Sequence, residues 1–93
     1  MRIALSRRIQ RQLEHAPLDL RQQLADAVKE LSKALGQPHR HSGLGLRKVH
    51  RSGVYEFRIG RQCRIVFTQP EKDLVMLHLL GNHDDVQRFL DSL

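Results

Sequence analysis

The sequence predicts an α+β fold in a single domain, residues 1–93: an N-terminal helical hairpin packed on a small twisted antiparallel sheet, closed by a short C-terminal helix. Three observations predict it. Apolar residues recur at helical spacing through the first 35 positions, they alternate with period two from Val54 onward, and the change happens once, across the Gly-, Pro- and His-rich stretch "GQPHRHSGLG". A chain of 93 residues holds one core and no second unit.

The elements follow in order. Arg2 to Leu5 is a short strand candidate, and Ser6 is placed to cap a helix whose Ile9 and Leu13 fall four apart. Pro17 in "HAPLD" closes that helix or opens the next. From Asp19, the apolar residues Leu20, Leu24, Ala27, Val28, Leu31 and Leu35 keep the helical period. Asp19 and Gln22 have the spacing of a capping box, and Gly36 with Pro38 ends the run. The segment from Gly36 to Gly45 lacks periodicity and reads as a surface loop. Strands are expected at Val54–Ile59, Cys63–Thr68 and Leu74–Leu80, with "QPEKD" as the turn between the last two. The third is apolar on both faces, which places it in the sheet interior. Gly81 ends it, Asn82 or Asp84 caps a final helix, and Val86, Phe89, Leu90 and Leu93 form that helix's apolar stripe.

Charge narrows the function classes. The net charge of +6 has an address: from Gln37 to Arg64 there are seven basic residues (Arg40, Arg47, Lys48, Arg51, Arg58, Arg61, Arg64) against one acid, Glu56. Twelve of the sixteen cations are arginine, whose planar fork of donors matches phosphate. A polyanion surface is the reading that concentration favours. Arg2, Arg7, Arg8 and Arg11 form a second basic group, read as a solvated helix face. No segment approaches the roughly 18 consecutive apolar residues of a membrane span, and arginines interrupt the N-terminal segment where a signal peptide would need an apolar run. A cytoplasmic location is the expectation. The single Cys63 excludes an intrachain disulfide and reads as a small core residue. His39 and His41, with His50, lack the Cys or Asp companions of a metal site, so neither metal nor cofactor is expected. His78, alone in an apolar strand, reads as a hydrogen-bonded structural residue.

The hairpin "VYEFRIGRQCRIVF" poses the central question. If Gly60, Arg61 and Gln62 form its loop, Ile59 faces Cys63 and Arg58 faces Arg64. Alternation then puts Tyr55, Phe57, Ile59, Cys63, Ile65 and Phe67 on the core face and leaves both arginines on the open face, exposed to solvent. Opposed like charges destabilise a hairpin unless an anion sits between them. A phosphate would serve, and so would Glu56, two residues from Arg58 on the same face.

The string "LRKVHRSGVYEFRIGRQCRIVF", followed by "LVMLHLLG" and "NHDDVQRFL", resembles the RelE/ParE superfamily of toxins from type II toxin–antitoxin pairs, and "HAPLDLRQQLADAVKELSKALGQP" is similar to that family's helical hairpin. The resemblance implies a metal-independent endoribonuclease that cuts messenger RNA on the ribosome by attack of a ribose 2′-hydroxyl on the adjacent phosphate, inhibiting translation. Its implied partners are a cognate antitoxin protein, the ribosome and mRNA. It implies catalytic roles for Arg64, which matches the family's strand arginine, for Arg58, and for His83, whose imidazole can act as acid or base near neutral pH. Arg47, Lys48, His50, Arg51, Arg61 and Phe89 are the implied RNA contacts, Phe89 by stacking on a base. The chain departs from the family pattern in three places. Phe89 stands where many relatives carry Tyr, no carboxylate precedes Lys48, and the loop between the two arginines is one residue longer. These bear on turnover more than on RNA affinity. The alternatives are a ParE-like inhibitor of DNA gyrase and a non-catalytic binding member of the family.

Overall fold

A computed structural model describes residues 1–35 and 44–93. In chain order it contains β1 (Arg2–Leu5), α1 (Arg7–Glu14), α2 (Leu18–Ala34), β2 (Arg47–His50), β3 (Val54–Ile59), β4 (Cys63–Glu71), β5 (Leu74–Gly81) and α3 (His83–Asp91). The fold is α+β: the elements among the described residues are three helices and one five-stranded sheet in the order β1-β5-β4-β3-β2. No helix among the described residues is long and apolar enough to cross a membrane.

The sheet is mixed, which corrects the expectation of an antiparallel one. β1 pairs parallel to β5, Arg2 beside Leu74 through Leu5 beside Leu77, whereas the other neighbours are antiparallel. The cause is connectivity: β1 enters the sheet edge before the helices, and the chain returns to it only through β5. β5 does lie inside the sheet, between β1 and β4. β2 was not legible, because "RKVH" has no apolar alternation. It is an edge strand, and its register with β3 shifts between Lys48 and His50. β4 runs past Thr68 to Glu71, so the expected "QPEKD" turn shrinks to Lys72 and Asp73. Pro70 is tolerated there because β3 stops pairing at Thr68, leaving that end of β4 unpaired on one side.

Ser6 caps α1 as expected, its Oγ accepting from Ile9 N at 3.1 Å while donating to the His78 carbonyl at 2.8 Å. The Asp19–Gln22 capping box does not form. α2 begins at Leu18 behind an N-cap Pro17 with φ −58°, and Gln22 instead donates to Asp26. The expected helix end at Gly36 and Pro38, and the His39–His41 loop with Arg40, lie outside the described residues.

Two buried clusters flank the sheet. Ile9 of α1 and Leu24, Ala27 and Leu31 of α2 share one with Phe57, Ile65, Phe67, Val75 and Leu77. Cys63 packs against its margin, and burial pushes the Cys63 thiol pKa up. Val86 of α3 shares the other cluster with Val54, Val66 and Leu79 on the opposite face. A bulge between Val66 and Phe67 sets His78 out of the pairing register; it hydrogen-bonds Thr68 Oγ1 through Nε2 at 2.8 Å and lies beside Phe89. Burial lowers the His78 pKa. The structural role expected for this residue matches these contacts.

Candidate functional site

The register of β2, β3 and β4 decides the electrostatics of the face that carries Arg58 and Arg64, which α3 covers in part. Arg58 stands opposite Arg64, and Ile59 opposite Cys63, around a turn at Gly60 with φ 65°. Two pairs along, on the same face, Glu56 stands opposite Arg47 on β2 and diagonal to Arg64 on β4. The result is an ion triad. Glu56 Oε1 accepts from Arg47 Nε at 2.6 Å and from Arg64 Nη1 at 2.9 Å. Glu56 is 1% exposed, whereas the Arg64 and Arg47 side chains are 22% and 59% exposed. Glu56 Oε2 has no hydrogen-bond partner among the described residues. Arg64 is therefore half-sunk in a structural pair, which corrects the expectation that it stands free in solvent. Glu56 serves Arg64 and Arg47 and leaves Arg58 without a carboxylate among the described residues.

Arg58 is accommodated by a glycine. Gly45 has φ 63°, a left-handed conformation, and a Cβ at that position would run into the Arg58 guanidinium. A second glycine sets the far side of the site. Gly81 is the register partner of Arg64, and a Cβ on it would fall 2.7 Å from Asp85 Oδ2. Its bare backbone lets α3 start against the sheet. Asn82 caps that helix by accepting from Asp85 N at 2.9 Å, and Asp85 Oδ2 accepts from Asn82 N at 2.9 Å. The capping box fixes the first turn, whose first residue is the exposed His83.

Three depressions adjoin around the triad. One of about 450 Å³ is lined by Gly45, Leu46, Arg47, Arg58 and Arg64. A second, of about 290 Å³, lies among Arg61, Gln62, Arg64, Asn82, His83 and Asp84. The third, of about 250 Å³, includes Arg47, Lys48, Glu56, His83 and Gln87. Arg64 belongs to the first two, His83 to the last two, and Arg47 to the first and third, so the three share a mostly basic lining, with Asp84 in the second and the buried Glu56 carboxylate in the third. An anion placed there meets the Arg58 fork, which has no carboxylate partner among the described residues, the remaining donors of Arg64 and a neighbouring imidazole.

The structure thus brings together Arg47, Lys48, Arg58, Arg61, Arg64 and His83. It does not bring the other three. His50 Nδ1 accepts from Ser52 N at 3.1 Å and lies 2.6 Å from Ser52 Oγ, a local contact that organises the β2–β3 turn. Arg51 is exposed in that turn, apart from the residues lining the depressions. Phe89 faces another side of α3, in a groove with Arg8, Gln12, Leu79 and Arg88, where the Arg8 guanidinium stands 6.0 Å from the ring centre. Helical spacing separates it from the residues of α3 that turn to the triad: His83, Val86, Gln87 and Leu90. The groups missed from sequence are Gly45, Gly81 and the Arg47–Glu56 contact. The last had a signal, since Glu56 is the sole acid between Gln37 and Arg64.

Among the described residues no group of three or more His, Cys, Asp or Glu side chains is placed to hold a metal ion. No family model, curated protein or solved structure matches the chain.

Proposed function

We propose that this protein is a toxin of the RelE/ParE type that binds messenger RNA on the ribosome and cuts it without a metal, held in check in the cytoplasm by a cognate antitoxin protein. The observation that carries the reading is the meeting of the carboxylate-free Arg58, the anchored Arg64 and the exposed His83 on one basic surface. The α+β fold, with Ile9, Leu24 and Leu31 sharing a buried cluster with strand residues and Val86 sharing a second, supports the resemblance of the sequence to that family.

In this reading a phosphodiester lies between Arg58 and Arg64. The ribose 2′-hydroxyl loses its proton and attacks the adjacent phosphorus. The O5′–P bond breaks, and the departing 5′-oxygen takes a proton, leaving a 2′,3′-cyclic phosphate and a 5′-hydroxyl. Arg58 and Arg64 stabilise the charge of the crowded phosphorane, where each preorganised donor is worth about 10²–10³ in rate. His83 exchanges one of the two protons. Lys48, Arg47 and Arg61 hold flanking phosphates. Purified protein added to a translation extract should produce cuts in mRNA bearing those ends, and Arg58→Ala should lower the rate by about 10²-fold or more. Intact mRNA together with inhibited gyrase supercoiling would instead assign the ParE-like activity.

A second reading is binding without cleavage. Two observations favour it: one nitrogen of Arg64 is already committed to Glu56, and Phe89 is turned away from the basic surface. RNA bound with a steep salt dependence but left uncut by the ribosome-associated protein would select it.

A further inference from the structure

The geometry points to Glu56 as a positioning residue that aims the Arg64 guanidinium at one oxygen of a bound phosphodiester. The inference rests on the phosphodiester reading above and deepens it.

Glu56 is the only polar or charged residue buried among the described residues, and the other ionisable residues that line the two depressions at Arg47 are Arg47, Lys48, Arg58, Arg64 and His83, with Asp84 in the depression of Arg61. For attracting a polyanion Glu56 is counterproductive, because it cancels part of the field of Arg47 and Arg64. What it provides is direction. A long arginine side chain free in solvent samples many rotamers. Arg64 is held at one nitrogen by a carboxylate that is itself 1% exposed, on the sheet face where Val54, Val66 and Val86 are buried, so burial restricts the pair at the Glu56 end. A guanidinium carries five N–H donors, and the bond to Oε1 uses one of Arg64's. The others stay in a plane whose orientation Glu56 sets, at the margin shared by the depressions of Arg58 and of His83. Arg47 is the more exposed partner of the triad, so it balances the buried charge without fixing the site in the same way. Purely structural glue would be indifferent to which oxygen of a phosphate is presented. A positioned fork is not, because the two non-bridging oxygens of a phosphodiester point in different directions.

The test uses the full chain and a short single-stranded oligouridylate carrying one phosphorothioate of defined Rp or Sp configuration, with binding measured across a salt series. Wild-type protein should prefer one diastereomer by roughly threefold to tenfold, the scale of one hydrogen bond. Glu56→Gln should bind the all-phosphate oligomer more tightly, with a log–log salt slope steeper by about 0.7 for each phosphate newly neutralised, yet lose the Rp/Sp preference. Glu56→Asp keeps the charge and withdraws it by one methylene, so its slope should stay and its preference should fall. If both variants fail to fold by circular dichroism, Arg64→Lys with Glu56 intact takes their place. It should keep the salt slope and lose the preference, since lysine has no fork. An undiminished Rp/Sp ratio in the folded variants overturns the positioning role. A wild-type protein that does not bind the oligomer overturns the phosphodiester site itself, and one that binds with the preference but leaves mRNA uncut removes only the nuclease step.

Discussion

Arg64→Ala separates a free surface cation from a member of a buried pair, and its magnitude can be worked from the triad. Truncating one partner of a fully buried ion pair costs about 3–5 kcal/mol, because the other charge is left uncompensated. Here Arg47 still donates to Glu56 Oε1 at 2.6 Å, so compensation is halved and not abolished. The loss reduces to one charge-assisted hydrogen bond, about 1.5–3 kcal/mol, plus the packing of a side chain that is only 22% exposed. A value of about 2–3 kcal/mol follows. For a domain of this size that lowers Tm by roughly 10–20 °C. Arg58→Ala is the internal reference: Arg58 is exposed and has no carboxylate partner among the described residues, so its change should stay within about 0.5 kcal/mol. The assay is urea and thermal unfolding followed by far-ultraviolet circular dichroism, reading the shift in midpoint at constant m. Repeating Arg64→Ala in a Glu56→Gln background should shrink its effect by about 1 kcal/mol or more, the coupling of residues in contact. If the Arg64 and Arg58 variants melt within about 3 °C of each other, the triad carries no stability and the reasoning fails.

Three further outcomes are expected. Burial holds the His78 pKa below its ordinary 6.5, so the unfolded chain binds more protons between the two values; the stability from neutral His78 is complete above pH 6.5 and is lost as pH falls from there through the folded value. Wild-type Tm should therefore drop more steeply below pH 6.5 than that of His78→Gln, and parallel curves would refute it. Gly81→Ala must move the Asp85 carboxylate out of the capping box, lowering stability by about 1–2 kcal/mol and displacing His83, read as a midpoint shift and as a change in the His83 ring resonances. An unmoved midpoint would show that α3 adjusts freely. Gly45→Ala forces a left-handed alanine and pushes Arg58 aside, so it should cost about 1 kcal/mol and also weaken RNA binding; unaltered binding would take Arg58 out of the interface.

Sequence by itself determined the parts of this protein that follow local rules. The alternation from Val54 to Phe67 predicts both the core face and the pairing of Arg58 with Arg64, because a hairpin with a three-residue loop has only one register for each loop placement. Ser6 and Asn82 announce their helices, since a short polar side chain before an apolar stripe satisfies backbone N–H groups wherever it occurs. The parallel pairing of β1, the β2 edge and the partner of Glu56 were decided by tertiary structure alone. Each depends on which strand lies beside which, and "RKVH" carries no pattern that brings Arg47 to a carboxylate nine residues away. The open face looked from sequence like two arginines competing for one anion. In the folded chain one of them is anchored by the only charge buried among the described residues and the other has no carboxylate partner there, because neighbouring strands, and not neighbours along the chain, choose the partner of a side chain on a sheet.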